Sequence, residues 1–197
     1  DLYLLTRSKI NKEPLKASSQ ISIERQKNVI DSLETKEEKE FITHQFKNFE
    51  DSYFNKNSSS SLLWQSKLIL KNKDNEFVIG CKQKFNDLIE IFVKADDSPG
   101  LFYKLVHVFD RAGLEIIDAN IFTSKDNQFA ANTFITKFSR QDRVLNKSEL
   151  IELSSKIEKN FQKVDQINEK RKVKKKNAKF EKIVKIDQSV DINKNRN

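Results

Sequence analysis

The stretch from residue 88 to residue 138 constrains the fold more than any other part of the chain. It opens with Leu88-Ile89-Glu90-Ile91-Phe92-Val93, a run rich in β-branched residues that is typical of a strand. Next comes Asp97-Ser98-Pro99-Gly100-Leu101-Phe102, where an apolar helix pattern begins. Ser98 can cap a helix, Pro99 is tolerated at a first helical position, and Gly100 allows close approach to the backbone. The sequence therefore predicts a strand-to-helix turn whose free N–H groups suit a carboxylate or a phosphate.

Helix and strand signals alternate through the rest of this stretch. Apolar residues at helical spacing predict a helix over residues 99–112, and Gly113 stands where a helix ends with positive φ. Strands are predicted over residues 114–123 and 129–138, with a turn at residues 124–127 between them. The order is strand, helix, strand, strand.

Two sets of side chains alternate along the second predicted strand. The set predicted to face the helix includes a small alanine that allows close approach: Ile117, Ala119, Ile121 and Thr123. The set predicted to face away is Ile116, Asp118, Asn120 and Phe122.

Short helices are predicted before this stretch. Apolar residues between 21 and 33 fit an amphipathic helix, and Thr35 with Glu38 fits the capping box of the next one. The serine-rich run 55–61 fits a further helix start, after which Trp64 is predicted to anchor a small helical core. A hairpin strand over residues 77–82 then leads into the main strand.

One more helix and one more strand are predicted after residue 138. Asn146 and Glu149 fit a helix cap, and the apolar stripe behind it is Leu150, Leu153, Ile157, Phe161 and Val164. A basic run follows at residues 170–176, and residues 180–186 alternate as a strand. The order strand, helix, strand, strand, helix, strand predicts an α+β fold of the ferredoxin-like βαββαβ type behind N-terminal short helices. Both of its helices would pack on one sheet face, and the other face would need a partner, water or a neighbouring sheet.

Composition limits the class of protein. The 197 residues carry a net charge of +8, but Lys, Asn, Ile and Phe have AT-rich codons, so genome composition accounts for the charge without a nucleic-acid partner. The single Cys81 excludes an internal disulfide, and no apolar run is long enough to span a bilayer. We therefore expect a cytoplasmic protein with no membrane partner. The absence of Met predicts that the chain is an internal fragment of a longer protein.

Several of these residues resemble one known family. The segment Asp97 to Phe102, the strand Ile116 to Ser124 and Asn132-Thr133-Phe134 resemble an ACT domain, a small amino-acid-sensing module. They are most similar to the first of two C-terminal ACT domains of bacterial PII uridylyltransferase/uridylyl-removing enzymes. Tyr53-Phe54 with Trp64, and Val184-Lys185-Ile186-Asp187 behind the basic run, also resemble that family. The chain departs from the family pattern at three places. Asp126-Asn127 stands where the family has aspartate-glycine, Asn132 where it has aspartate, and Gln65 where it has histidine.

The resemblance implies a division of the chain into three parts. Residues 1–75 would be a helical linker that follows a missing HD domain, residues 76–187 an ACT domain with a preceding edge strand, and residues 188–197 a truncated or disordered tail. A second ACT domain would be missing from the chain as its partner.

The resemblance also implies a function. The chain would be a glutamine-sensing, regulatory fragment of a bifunctional enzyme that adds uridylyl groups to the PII signal protein and removes them, in the control of nitrogen assimilation. Glutamine would favour removal, and its absence would favour addition. The parent enzyme, a nucleotidyltransferase and hydrolase, would use Mg²⁺ and a second divalent metal. For this fragment we expect no catalytic residue, no metal site and no cofactor.

Eight residues are the candidates for binding the amino acid. Its carboxylate would meet N–H groups near residues 98–101, and its ammonium would meet the nearby aspartates or backbone carbonyls. Asp118 and Asn120 of a paired domain would complete the pocket. The candidates are Asp96, Asp97, Ser98, Pro99, Gly100, Leu101, Asp118 and Asn120.

Other interpretations remain open from the residues alone. Asp97 and Ser98 fit equally well as plain helix caps, and Gly100 fits equally well as a site of tight helix-on-strand packing. The whole chain fits a non-enzymatic ACT module for dimerisation or for sensing another amino acid. The basic run 170–176 fits either a nucleic-acid or phosphate contact or a solvated connector.

Overall fold

The computed structural model describes residues 18–164. The predicted helix end at residues 1–10, the basic run 170–176, the strand at 180–186 and the tail lie outside the described residues. Within residues 18–164, no helix is long and apolar enough to cross a membrane. The elements are α1 (residues 18–31), α2 (Lys36–Phe46), α3 (Asp51–Lys56), α4 (Ser59–Lys71), β1 (Val78–Gln83), β2 (Ile89–Asp96), α5 (Leu101–Arg111), β3 (Leu114–Thr123), β4 (Phe129–Phe138) and α6 (residues 147–164).

Three helices begin where the sequence predicts a cap. The Glu38 amide donates to Thr35 Oγ1 at 3.1 Å and the Thr35 amide donates to Glu38 Oε2 at 3.3 Å, which confirms the capping box at α2. Ser58 caps α4 with its hydroxyl. Asn146 and Glu149 exchange a similar pair of hydrogen bonds, at 2.9 and 3.0 Å, before α6. These side chains satisfy amides that the helices leave unpaired, so local sequence decides where the three helices start.

The four strands form one antiparallel sheet in the order β1-β2-β4-β3. Helix α5 carries the chain from β2 to β3 with β4 lying between them, which makes a split βαβ unit. This architecture confirms the predicted α+β class. In the ferredoxin-like order, the last strand pairs with the first, and the first strand corresponds to β2 here. Strand β1 occupies that position instead, so β2 is paired on both sides within residues 78–138.

Helices α5 and α6 contribute to one apolar core with the side chains of β2 and β4. The ring of Phe109 on α5 meets the ring of Phe134 on β4 edge-to-face, with 4.9 Å between centroids. The ring of Phe161 on α6 stacks on Phe77, which precedes β1, at 4.5 Å. The predicted apolar stripe of α6 is confirmed, since Leu153, Ile157 and Phe161 are buried in this core and Leu150 and Val164 pack against it.

The opposite face of the sheet is covered by α1 to α4. Phe49 stacks on Tyr53 at 4.1 Å and meets Phe129 of the sheet edge-to-face at 5.4 Å. Trp64, the predicted anchor of this core, is only half-buried, and the fully buried anchors are Phe49, Tyr53 and Phe54. The partner that this sheet face needs is therefore the N-terminal helical layer. The predicted domain boundary between residues 75 and 76 falls in the loop before β1, and the division into domains stays a prediction.

Only part of the apolar side predicted for α1 faces this layer. Val29, and Leu33 just after the helix, are buried in the layer, but Ile21 is 42% exposed and Ile23 is 66% exposed. Ser22 is buried instead and donates from its hydroxyl to Asp51 Oδ1 at 2.9 Å. Arg25 Nη1 donates to three carbonyl oxygens at the end of α3, at 2.7 to 2.9 Å. Polar groups that satisfy a helix end thus decide the rotation of α1, because unpaired carbonyls at a helix C-terminus attract a cation.

A β-bulge in β3 changes which residues face α5. The pairing with β4 shifts between Ile116 and Asp118, which leaves Ile117 as the extra residue. Ile116 and Ala119 therefore both pack against the core on the α5 side, whereas Ile117 is 49% exposed. The prediction that Ile116 faces away and Ile117 faces the helix is wrong, because strict alternation does not allow for an inserted residue.

Candidate functional site

Hydrogen bonds hold the turn after β2 against the β3–β4 hairpin. The Asp97 amide donates to the Gln128 carbonyl at 3.1 Å, and Thr123 Oγ1 donates to Asp97 Oδ2 at 3.4 Å. The Ser124 hydroxyl donates to Asp126 Oδ1 at 2.5 Å, and this bond holds the pKa of the Asp126 carboxyl below its ordinary value. The position from which α5 starts is therefore fixed by the neighbouring hairpin.

Helix α5 begins at Leu101, two residues later than the sequence predicts. Its N-cap is Gly100, with a φ of 85°, and no side chain caps the helix. The Leu101 amide donates to the Ser98 carbonyl at 3.0 Å, so Ser98 takes part through its backbone. The predictions that Asp97 or Ser98 caps the helix and that Pro99 is its first residue are wrong. The left-handed conformation of Gly100 reorients the chain between Pro99 and the helix.

Glycine is required at position 100 by backbone conformation and not by crowding. A Cβ atom added at Gly100 would meet nothing within 4 Å. The packing interpretation of Gly100 is therefore wrong, and the space above this turn is open. Tight helix-on-strand packing occurs at Gly80 of β1 instead, where an added Cβ would lie 2.3 Å from Leu68 Cδ1 on α4.

The uncapped start of α5 leaves backbone donors for a ligand. The amides of Phe102 and Tyr103 donate to no other residue between 18 and 164, and they lie at the positive end of the helix dipole. Asp97 is exposed at this turn. The prediction that Asp96 belongs to the same site is wrong, because Asp96 lies opposite Phe129 in the sheet and shares the α1–α4 face with Lys94. Leu101 has its side chain in the core, 4% exposed, and its amide is used in the turn. Donors for an anion thus lie next to one carboxylate that can hold a cation.

Asp118 and Asn120 are not part of this arrangement. Asn120 lies opposite Thr133, whose hydroxyl bonds to the α1–α4 layer, so both candidates belong to the sheet face away from α5. Thr123 marks the end of β3 that touches the turn, and at about 3.4 Å per residue Asn120 and Asp118 lie ~10 and ~17 Å farther along the strand. The structure does not bring them to the α5 start of the same chain. Their place in a paired domain stays a prediction.

One buried side chain near α5 was missed as a candidate. Asn132 of β4 is 1% exposed, and its Oδ1 has no hydrogen-bond partner in the described part of the chain. It lies between Ala130 and Phe134 on the α5 side, and the half-exposed ring of Phe102 stacks over Phe134 at 6.2 Å. The signal that could have found it is a polar residue in the inward-facing positions of an alternating strand.

A second polar cluster joins the helical layer to the sheet. Tyr53 Oη donates to Gln65 Oε1 at 2.5 Å, and Gln65 Nε2 donates to Asn57 Oδ1 and to Thr133 Oγ1, both at 3.2 Å. Burial and, to a smaller extent, the nearby Glu90 carboxylate raise the pKa of Tyr53, so its hydroxyl stays protonated and donates. Gln65, where the resembling family has histidine, is thus the centre of a network that fixes the layer on the sheet.

Metal ligands and the free cysteine can be checked directly in the described residues. Residues 18–164 contain no group of three or more His, Cys, Asp or Glu side chains that could hold a metal ion. Burial raises the pKa of Cys81 to about 12, and a hydrogen bond with Ser154 opposes this only in part. The thiol is therefore protonated at neutral pH and is not a nucleophile.

Comparison with known proteins gives similar sequences of one kind. Over 89 residues, 43% of its length, the chain is 34% identical to the bifunctional uridylyltransferase/uridylyl-removing enzyme of Acinetobacter baylyi and 33% identical to that of Acinetobacter baumannii. Over 102 residues, 51% of its length, it is 24% identical to the enzyme of the same name from Burkholderia orbicola. The matched part spans only 10 to 12% of these relatives. No family model matches the chain. The matches confirm the similarity to this enzyme family that the motifs indicate.

Proposed function

We propose that the chain is a regulatory part of a bifunctional PII uridylyltransferase/uridylyl-removing enzyme, and that the start of α5 takes part in sensing L-glutamine. The observation that carries the proposal is the helix start without a side-chain cap beside the exposed Asp97. Its support from outside the chain is the name of the relatives that the sequence matches. The cytoplasmic location, the ACT assignment and the catalytic metals of the parent enzyme belong to the same proposal.

The two ends of a free amino acid match the two kinds of group at this turn. The carboxylate accepts hydrogen bonds from the amides of Phe102 and Tyr103, where the helix dipole favours a negative charge. The ammonium pairs with the carboxylate of Asp97, which is solvent-exposed. Because these groups lie at the surface, a second domain is needed to enclose the ligand and to exclude water from the charge pairs.

Regulation follows from differential affinity. A ligand held between two domains shifts their arrangement only by the difference between its affinities for the two arrangements. In the proposed enzyme, glutamine favours the arrangement that removes uridylyl groups from the PII signal protein. The helical layer on the other face of the same sheet gives this shift a direct physical contact with the part of the protein that precedes β1.

A second candidate function is a non-enzymatic ACT module for dimerisation or for sensing another amino acid. The observation that favours it is the apolar exposure along β3, the edge strand of the sheet within residues 18–164, where Ile117 is 49% and Ile121 is 46% exposed. Exposed apolar side chains at an unpaired edge strand are typical of an interface. The coding sequence upstream of Asp1 separates the two candidates, since a nucleotidyltransferase loop followed by an HD motif belongs only to the enzyme.

Calorimetry tests the sensing proposal. L-glutamine is titrated into the 197-residue chain and into a longer chain that extends far enough past Asn197 to include the next domain. We expect millimolar binding with little heat for the short chain and clear binding for the longer one. Equally tight binding by both chains would contradict the need for a second domain, and no binding by either would contradict glutamine sensing.

A further inference from the structure

We propose that Asn132 is the specificity-determining residue of the site at the start of α5, and that its side-chain oxygen accepts a hydrogen bond from the carboxamide of the bound amino acid. This inference rests on the proposed function and deepens it. Asn132 is 1% exposed, and no hydrogen bond to its side chain is formed within residues 18–164.

The topology puts Asn132 beneath the first turns of α5. At one end, the turn before α5 is bonded to Gln128, just before β4 begins, and at the other end the Ser139 amide donates to the Gly113 carbonyl just after α5. Helix α5 thus runs in the same direction as β4, with its first turn near the start of β4 and its last turn near the end of β4. Asn132 is four residues along from Gln128, between Ala130 and Phe134 of the core on the α5 side. A side chain that projects from this position points towards the N-terminal half of α5.

An unpartnered buried oxygen needs a reason. A buried acceptor without a donor destabilises the folded protein, so such atoms are rare and are concentrated where a ligand completes them. Among residues 18–164, two other buried side-chain atoms lack a partner, Glu90 Oε1 and Asn55 Oδ1, but each of those side chains is bonded through its other atoms. Asn132 differs because no hydrogen bond to its side chain is found within residues 18–164, and because it lies under a helix start that has free donors in the same part of the chain. Of its two polar atoms, it is Oδ1 that is both buried and unpartnered.

The chemistry of the free atom selects the ligand. The surface groups already match an α-carboxylate and an α-ammonium. The deeper Oδ1 of Asn132 is therefore left for the functional group at the end of the ligand's side chain. An acceptor is complemented by N–H donors, which a carboxamide has and an ionised carboxylate lacks. Glutamine is therefore preferred over glutamate at this site. The ring of Phe102, which is 48% exposed over Phe134, is the group that moves aside to admit the ligand's side chain.

Thermal unfolding of the free 197-residue chain gives the first test. Replacing Asn132 with valine removes the unpartnered oxygen and suits a strand, so Asn132→Val is expected to raise the unfolding midpoint by about 2–4 °C without ligand. The matched control is Thr133→Val, one residue along and on the other face, which breaks hydrogen bonds to Gln65 and Asn57 and is expected to lower the midpoint. A lower midpoint for Asn132→Val would show that the Asn132 side chain is a structural bond and would overturn the proposal.

Binding gives the second test. L-glutamine and L-glutamate are titrated into the wild-type chain and the two variants at millimolar concentrations, and backbone amide shifts are followed by NMR. We expect wild type and Thr133→Val to prefer glutamine by about tenfold, the worth of one good hydrogen bond, and Asn132→Val to lose that preference. If Asn132→Val keeps the preference, the inference about Asn132 fails while the sensing proposal stands. If the wild-type chain responds to neither amino acid, and the longer chain does not either, both fail together.

Discussion

On one face of the sheet, α1 to α4 pack through aromatic rings and join the strands through buried hydrogen bonds. On the other face, α5 packs through mostly apolar contacts, next to a buried polar side chain that has no partner within residues 18–164. Gln65 bonds to three neighbours on the first face. Asn132 bonds to none on the second, within the described residues. The two residues are comparable, because both are neutral amides that are at most 1% exposed.

The two faces are therefore expected to have different roles, since one stabilises the fold and the other binds a ligand. A fully satisfied buried network fixes one arrangement of helices on a sheet, so the α1–α4 face is expected to be rigid. An unsatisfied amide and an uncapped helix cost folding free energy that a ligand can return, so the α5 face is expected to respond to ligands. Variants on each face therefore test whether the two faces differ in this way.

The largest expected effects come from removing one buried aromatic side chain from each core. Phe92 on the α1–α4 face and Phe134 on the α5 face are both fully buried. Phe92→Ala and Phe134→Ala are each expected to lower the free energy of unfolding by about 3–5 kcal/mol, through lost burial and the cavity left behind. Because the two cores share one sheet, urea unfolding followed by circular dichroism should show a single transition for both variants. A variant with two separate transitions would show that the helical layer folds on its own.

A smaller loss is expected from the polar network. Gln65→Leu leaves the buried hydroxyl of Tyr53 without an acceptor and should cost about 2–3 kcal/mol in the same unfolding measurement. The double variant Tyr53→Phe/Gln65→Leu removes both partners and should be more stable than Gln65→Leu alone. A double variant that is the less stable of the two would contradict the explanation by an unpaired hydroxyl.

The turn before α5 gives the next effect in size. Gly100 has a φ of 85° and open space around it, so Gly100→Ala is expected to cost about 1–2 kcal/mol from conformation alone. Gly100→Asn should cost less, since asparagine tolerates the left-handed region better. Equal losses for the two variants would indicate a clash or a lost contact instead of backbone strain. Thermal unfolding of the three proteins decides between these explanations.

The smallest effect concerns acid. Hydrogen bonds from the Asn146 amide and from Arg143 hold the pKa of Glu149 below its ordinary value of 4.5. As pH falls through this value, the unfolded chain takes up the proton first, so the stability contributed by Glu149 is present above about pH 4.5 and is lost below it. Glu149→Gln should flatten the acid side of the stability profile slightly, whereas Glu152→Gln, an exposed neighbour on α6, serves as the control. Identical profiles for both variants would contradict a role of the cap.

The sequence alone predicted the features that depend on residues close together in the chain. The boundaries of β3 and β4, the caps at Thr35 and Asn146, and the helix-ending Gly113, whose φ is 79°, are set by propensity and by local hydrogen bonds. The α+β class followed because the order of elements from residue 88 onward is itself a strong constraint.

Sequence alone could not predict what depends on distant partners. The bulge at Ile117 depends on pairing with β4, and the rotation of α1 depends on carbonyls of α3 that Arg25 reaches across about 30 residues of chain. In the candidate site, Asp97 and Gly100 are predicted from sequence, but the face on which Asp96 lies, the missing cap and the unpartnered Asn132 depend on the sheet and on where β4 lies under α5. Such features become visible only when hydrogen bonds are counted in three dimensions.

The most direct measurement of the central claim is an NMR titration of the uniformly ¹⁵N-labelled chain with L-glutamine, with every backbone amide assigned. The account predicts that the largest shifts occur at Gly100, Phe102 and Tyr103, with smaller shifts at Asn132 and none at Gln65. Saturating shifts confined to the α1–α4 layer, or spread evenly over the chain, would contradict a site at the start of α5.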